Sequence, residues 1–216
     1  MAERKHILRW GGASGIAAAL ILITMLAVGL AAGSDSGELL QPTDPDRASC
    51  LMSRYSGLVQ TIVLLDDLFA VAYTGAFLGL AALVWRRSRW LAGIAMAFAL
   101  ATALLDFAEN ARLLTMAQGI GGEASFAEGA LRELSITTQL KYSCSHLATF
   151  LFGLALPRRD RLSWTVAILL FLFPVVSTLA FALEVASLAR LLLMWLLLAL
   201  GGWLAWRESK RLEGDT

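Results

Sequence analysis

The sequence predicts an all-α, polytopic helical membrane protein of about six transmembrane helices with both termini cytoplasmic. Three observations predict it. Apolar residues gather into long blocks, basic residues concentrate in alternate connections, and tryptophans sit where the blocks meet those connections. The apolar share is 58% and the mean hydropathy is +0.68, whereas soluble domains hold roughly 45–50% apolar residues. Charged residues make up only 16%. The net charge of +1 implies no nucleic acid or acidic partner, and two cysteines, Cys50 and Cys144, are too few for a disulfide framework. Both are expected to be free thiols.

Crossing the hydrocarbon core takes about 20 mostly apolar residues in a helix. Six stretches reach that length: 10–33, 58–85, 90–117, 134–156, 162–183 and 188–206. They are expected to form one helical-bundle domain over 1–216. A helix satisfies its own backbone in lipid, where an open strand edge would not. Arg4, Lys5 and Arg9, Arg86, Arg87 and Arg89, Arg158, Arg159 and Arg161, and Arg207, Lys210 and Arg211 occupy the tails and every second connection. The positive-inside rule therefore places both termini in the cytoplasm. Trp10, Trp85, Trp90, Trp164 and Trp206 fall near the same interface, where amphipathic rings prefer to lie. The Arg-rich, Ala/Leu-rich composition points to a bacterial inner membrane.

The first block also resembles a secretory signal, with small residues Gly29, Ala31 and Gly33 after an apolar run. Its apolar stretch exceeds the usual length of such a signal, so an uncleaved span is expected. The outer connection 34–56 contains Gln41-Pro42-Thr43-Asp44-Pro45-Asp46 and reads as an ordered turn or a flexible loop. The glycine-rich 119–129 connection reads as a flexible linker. The second and fourth spans end alike in Thr74-Gly75-Ala76-Phe77 and Thr149-Phe150-Leu151-Phe152, each before an arginine pair, and the third and fifth share Ala-Arg-Leu-Leu at Ala111 and Ala189. These matches do not share one offset, so a duplication carries little weight.

Polar residues inside the blocks are the feature that bears on function. Asp66 and Asp67 interrupt the second span, Asp106, Glu109 and Asn110 the third, and Lys141 and His146 the fourth. A charge near the bilayer centre costs about 2.5–3.5 kcal/mol on insertion scales, so such residues mark sites by default. At 1.5 Å per residue, Asp66, Asp106, Glu109 and Lys141 fall roughly 10–17 Å below the outer ends of their helices. Three helices thus present ionisable groups at one level, opening outward. Asp106, Glu109 and Asn110 stand at i, i+3 and i+4 and share a face that continues to Leu113. Asp66 and Asp67 point about 100° apart, so only one is expected to face the site, and Asp67, on the more polar face, ranks first.

Four carboxylates face one lysine, with a histidine nearby. The excess negative charge calls for a proton, a cation or cationic solute, or water, and the cluster is expected to titrate as a coupled unit. The leading expectation is proton- or cation-coupled transport of a small solute, with Asp66, Asp67, Asp106, Glu109, Asn110, Lys141 and His146 forming the site. The alternatives are an intramembrane enzyme acting on a lipid or quinone and a non-catalytic assembly or sensory subunit. Membrane lipids are the expected surroundings, and a homo-oligomer is allowed.

No metal is expected, because His146 is the one intramembrane histidine and no zinc-like ligand spacing exists. No cofactor is expected either: His6 lies in the tail, so haem has no second axial histidine. Lys141 reads as an ion-pair partner rather than a Schiff-base lysine. Ser143, Cys144 and Ser145 have no nucleophile motif around them. Pro174 should kink the fifth span, Gly201-Gly202 gives the sixth a close-packing spot, and Glu184 and Arg190 are expected to bracket a solvated outer turn.

Overall fold

Small residues let the helices of this protein approach closely. A computed structural model describes residues 2–33, 44–119, 126 and 128–214. Among them are seven helices and no strand: α1 (Ala2–Ala32), α2 (Pro45–Arg54), α3 (Ser56–Val84), α4 (Arg89–Ala117), α5 (Glu128–Ala155), α6 (Arg161–Leu179) and α7 (Glu184–Gly214). The six long helices pack as a closed ring in chain order, each against its neighbour in sequence, with α7 returning to α1. α3 also approaches α7 across the ring.

The seam around α1 is built from glycine. A Cβ at Gly11 would lie 2.4 Å from the Cα of Gly79, and one at Gly15 would lie 2.8 Å from the Cα of Gly202. Such spacing is how membrane helices pack without a hydrophobic drive between them. Gly202 realises the close-packing spot expected of the sixth span. α1 is thereby embedded between α3 and α7.

Five helices, α1, α3, α4, α6 and α7, contain stretches both long and apolar enough to cross a membrane. The chain is an integral, helical, multi-pass membrane protein. α5 has the length, at 28 residues, but Gln139, Lys141, Tyr142, Ser143, Ser145 and His146 lower its hydropathy. It runs between α4 and α6 in the ring, where Lys141, Tyr142, Ser145 and His146 are half-buried, while Gln139 and Ser143 remain exposed. Leu64, Leu68, Val71, Leu104 and Leu172 face outward from the ring, as lipid contact requires.

Polar tethers show which ends of the helices gather. Lys5 pairs with Glu213 at 3.2 Å, Arg4 Nε donates to Ala82 O at 3.2 Å, and Arg87 Nη1 donates to Leu156 O at 3.1 Å. Arg207 pairs with Asp160. Both chain ends, the α3–α4 turn and the α5–α6 turn therefore meet at one end of the ring, the basic end. Trp10, Trp85, Trp90 and Trp164 are exposed there, while Trp206 carries Arg9 over its ring at 5.7 Å.

The helices overrun the hydropathy limits. α7 extends through Glu208, Lys210 and Arg211 on i,i+3 ion pairs, and α5 starts six residues before the expected Leu134. α6 instead stops at Leu179, ahead of the expected 183. Its interior Pro174 removes a backbone donor, and Thr178 Oγ1 donates to the Pro174 carbonyl.

The connection 34–56 departs from the turn-or-loop expectation. Asp44 caps α2 by accepting from the Arg47 N–H at 2.9 Å, and Pro45 occupies the first turn, a pairing suited to a helix start. Ala48 and Met52 bury the inner face of α2. Met52 joins Val59, Val63, Leu113, Met116, Leu131 and Leu134 in an apolar cluster at the far end of the ring. The Gln41-Pro42-Thr43 run and most of the glycine-rich linker lie outside the described residues.

Candidate functional site

The i, i+3, i+4 face of α4 turns into the ring as its spacing requires. Asp106, Glu109 and Asn110 are 6%, 5% and 4% exposed, with Leu113 continuing the face. α5 brings Lys141 against them. Its ammonium lies 2.9 Å from Asp106 Oδ1 and 2.5 Å from Glu109 Oε2, and Glu109 Oε2 has no other partner. Thr138, one turn earlier, donates to Glu109 Oε1 at 3.0 Å. Tyr73 of α3 donates to Asp106 Oδ2 at 2.5 Å. Each oxygen of Asp106 thus has a donor from a different helix.

α3 supplies both aspartates. Asn110 Nδ2 donates to Asp66 Oδ2 at 2.9 Å and to Asp67 Oδ1 at 2.8 Å. The expectation of only one aspartate at the site therefore fails. An amide nitrogen carries two hydrogens, and placed between adjacent residues it reaches both despite their divergent directions. The order of the pair also reverses. Asp66 lines the neighbouring cavity and Asp67 does not, because Asp66 stands on the same face as Phe69 and Tyr73, which also line it.

That cavity has a volume of about 160 Å³ and is walled by α3, α4, α5, α6 and α7. Asp66, Asp106 and Lys141 form one side, and Tyr73, Phe77, Tyr142 and Phe173 supply aromatic faces. Arg190 of α7 also lines it and lies 4.9 Å over the Tyr142 ring. Arg190 was expected at a solvated turn. α7 begins at Glu184, so Arg190 sits nearly two turns inside the helix, half-buried against α5. Burial by a neighbouring helix left no signal in the local sequence.

His146 does not join the carboxylates. Its ring packs against Phe173, with centroids 6.0 Å apart, and against Tyr142 at 6.3 Å. Its Nε2 is buried without a hydrogen-bond partner. At i+5 from Lys141 it is rotated about 140° around the helix, which turns it toward α6. Among the described residues no group of three or more His, Cys, Asp or Glu side chains is arranged to hold a metal ion. Cys50 is exposed on α2, Cys144 is partly buried on α5, and both are free.

The site is covered at the far end. Val59 and Val63 precede Asp66 on α3, Leu113 and Met116 follow Glu109 on α4, and Leu131 and Leu134 precede Lys141 on α5. All six are buried in the cluster that Met52 caps. The outward opening expected from depth alone is filled with apolar side chains. Comparison with family models, curated proteins and solved structures finds no match.

Proposed function

We propose that this chain is a small transporter of a bacterial inner membrane, with its basic end cytoplasmic, in which the carboxylate cluster binds a proton or small cation and the adjoining cavity holds a small solute. One observation carries this reading: Asp66 and Asp106 stand at the wall of a cavity inside the ring, in a cluster of four carboxylates whose nearby cations are Lys141 and Arg190. Two negative charges remain to be compensated in low dielectric. A proton or cation compensates them at far lower cost than leaving them bare.

The chemistry of the walls supports the solute class. Asp66 accepts one amide hydrogen bond, and Phe69, Tyr73 and Phe77 on the same helix offer ring faces. A carboxylate beside aromatic faces suits a small organic cation. Binding such a solute at Asp66 and a proton at the cluster would make the two compete, which is the basis of exchange. Release toward the far end requires the apolar cluster under α2 to part.

The test uses purified full-length chain in liposomes with an imposed pH gradient and a panel of small amines. Solute-dependent proton flux is expected, falling at least tenfold in Asp106→Asn and Asp66→Asn while both variants retain wild-type elution and helicity. Flux no greater than in empty liposomes, or undiminished in both variants, overturns the reading. Turnover of lipid or quinone in detergent, with no gradient, would replace it with the enzyme reading.

A further inference from the structure

The basic end of the ring holds a second and larger cavity, of about 420 Å³. Arg4, Arg86, Arg87, Arg159, Arg207 and Arg211 line it, drawn from α1, both basic turns and α7. Only two acids, Asp160 and Glu208, stand among them. Asp160 is held by Arg207, with Arg211 at 3.6 Å, and Glu208 by Arg211 at 2.7 Å. Arg4 and Arg87 each spend one N–H on a backbone carbonyl, of Ala82 and Leu156. Arg86 and Arg159 make no side-chain hydrogen bond or ion pair to a described residue, and Arg207 Nε is buried without a partner.

We propose that this cavity binds a phosphate-bearing anion, either the headgroup of an anionic phospholipid or a free phosphate compound. Four arginines in excess of the acids converge on one concavity, and an anion between them would relieve their mutual repulsion. The planar guanidinium fork matches phosphate oxygens in geometry as well as charge. An inner-leaflet excess of arginine by itself calls only for side chains spread along the interface. Arg89 and Arg161, the first residues of α4 and α6, have that character: they are exposed, as Arg86 and Arg159 also are, but they do not line the cavity. Leu8, Leu83, Leu156, Leu204 and Leu212 form its apolar walls, so the cavity can also accept the glycerol end of a lipid.

Purified full-length protein in neutral detergent is titrated with dioctanoyl phosphatidylglycerol, dioctanoyl phosphatidylcholine and inorganic pyrophosphate. Binding of phosphatidylglycerol or pyrophosphate is expected to weaken at least tenfold in R86Q/R159Q and to stay within twofold of wild type in R89Q/R161Q. Binding of the anionic lipid alone assigns a headgroup, and binding of pyrophosphate assigns a free phosphate compound. Failure of both to bind, or equal loss in the two double variants, overturns the proposal. A second measurement needs no variant: the bound ligand should protect Arg86 and Arg159 of the wild-type chain from phenylglyoxal and leave Arg89 reactive. Uniform reactivity with and without ligand overturns it equally.

Discussion

Lys141 holds Asp106 and Glu109 at 2.9 and 2.5 Å, and all three side chains are shielded from water. Removing one member of such a set leaves charge without compensation, which costs about 3–5 kcal/mol in buried pairs. Lys141→Met is therefore expected to lower the detergent melting temperature sharply. The triple variant K141M/D106N/E109Q should recover most of that loss, because neutral groups need no counter-charge; equal melting temperatures for the single and triple variants would contradict the pairing. The i, i+3, i+4 spacing of Asp106, Glu109 and Asn110 was legible in the sequence, as was the match in level with Lys141. The donor from Tyr73 and the stacking of Arg190 on Tyr142 were not, since each joins side chains on different helices. A one-dimensional pattern records which residues share a face, and leaves open which face a neighbouring helix presents to it.

Glycine spacing decides where helices may touch. At Gly11 a Cβ would meet the Gly79 backbone, whereas at Gly93, on α4, nothing lies within 4 Å. Gly11→Ala is expected to destabilise by about 1–3 kcal/mol, as overpacking does. Gly93→Ala should be neutral or stabilise by up to about 1 kcal/mol through helix propensity. Opposite signs in a detergent unfolding assay would verify the α1–α3 seam, and equal effects would refute it. At the start of α6, the Ser163 N–H holds the Asp160 carboxyl below its usual range, with Arg207 acting in the same sense. The contribution of that carboxylate to stability is thus present above the unfolded value near pH 3.9 and is lost as pH falls through the lower folded value. Asp160→Ala should cost about 1 kcal/mol at pH 7 through loss of the cap. That difference should shrink as pH falls from the unfolded value through the lower folded one, as paired melting curves would reveal. α2 could have been read from Asp44-Pro45 as cap and first turn, but the short apolar content of 45–54 hid it from a hydropathy reading.

A ring of six long helices puts both ends of the described chain, the α3–α4 turn and the α5–α6 turn on one side, and α2 on the other. With the basic end cytoplasmic, an impermeant maleimide added outside intact cells is expected to label exposed Cys50 and to leave Cys144 unlabelled. A tag placed after Thr216 should become accessible only on permeabilisation. Labelling of Cys50 only after permeabilisation would invert the orientation.

Helical class, the apolar blocks and the clustering of charge followed from residue order, because transfer of each segment into hydrocarbon depends on its own composition. The ring closure of α7 on α1, the apolar cluster under α2 and the position of Arg190 are pairwise facts between distant segments. So is the level of the intramembrane residues with respect to access: depth alone pointed outward, and only packing revealed apolar side chains above the carboxylates and a cavity beside them. Burial and access depend on what a neighbouring helix brings to the contact, and that is fixed when the helices assemble.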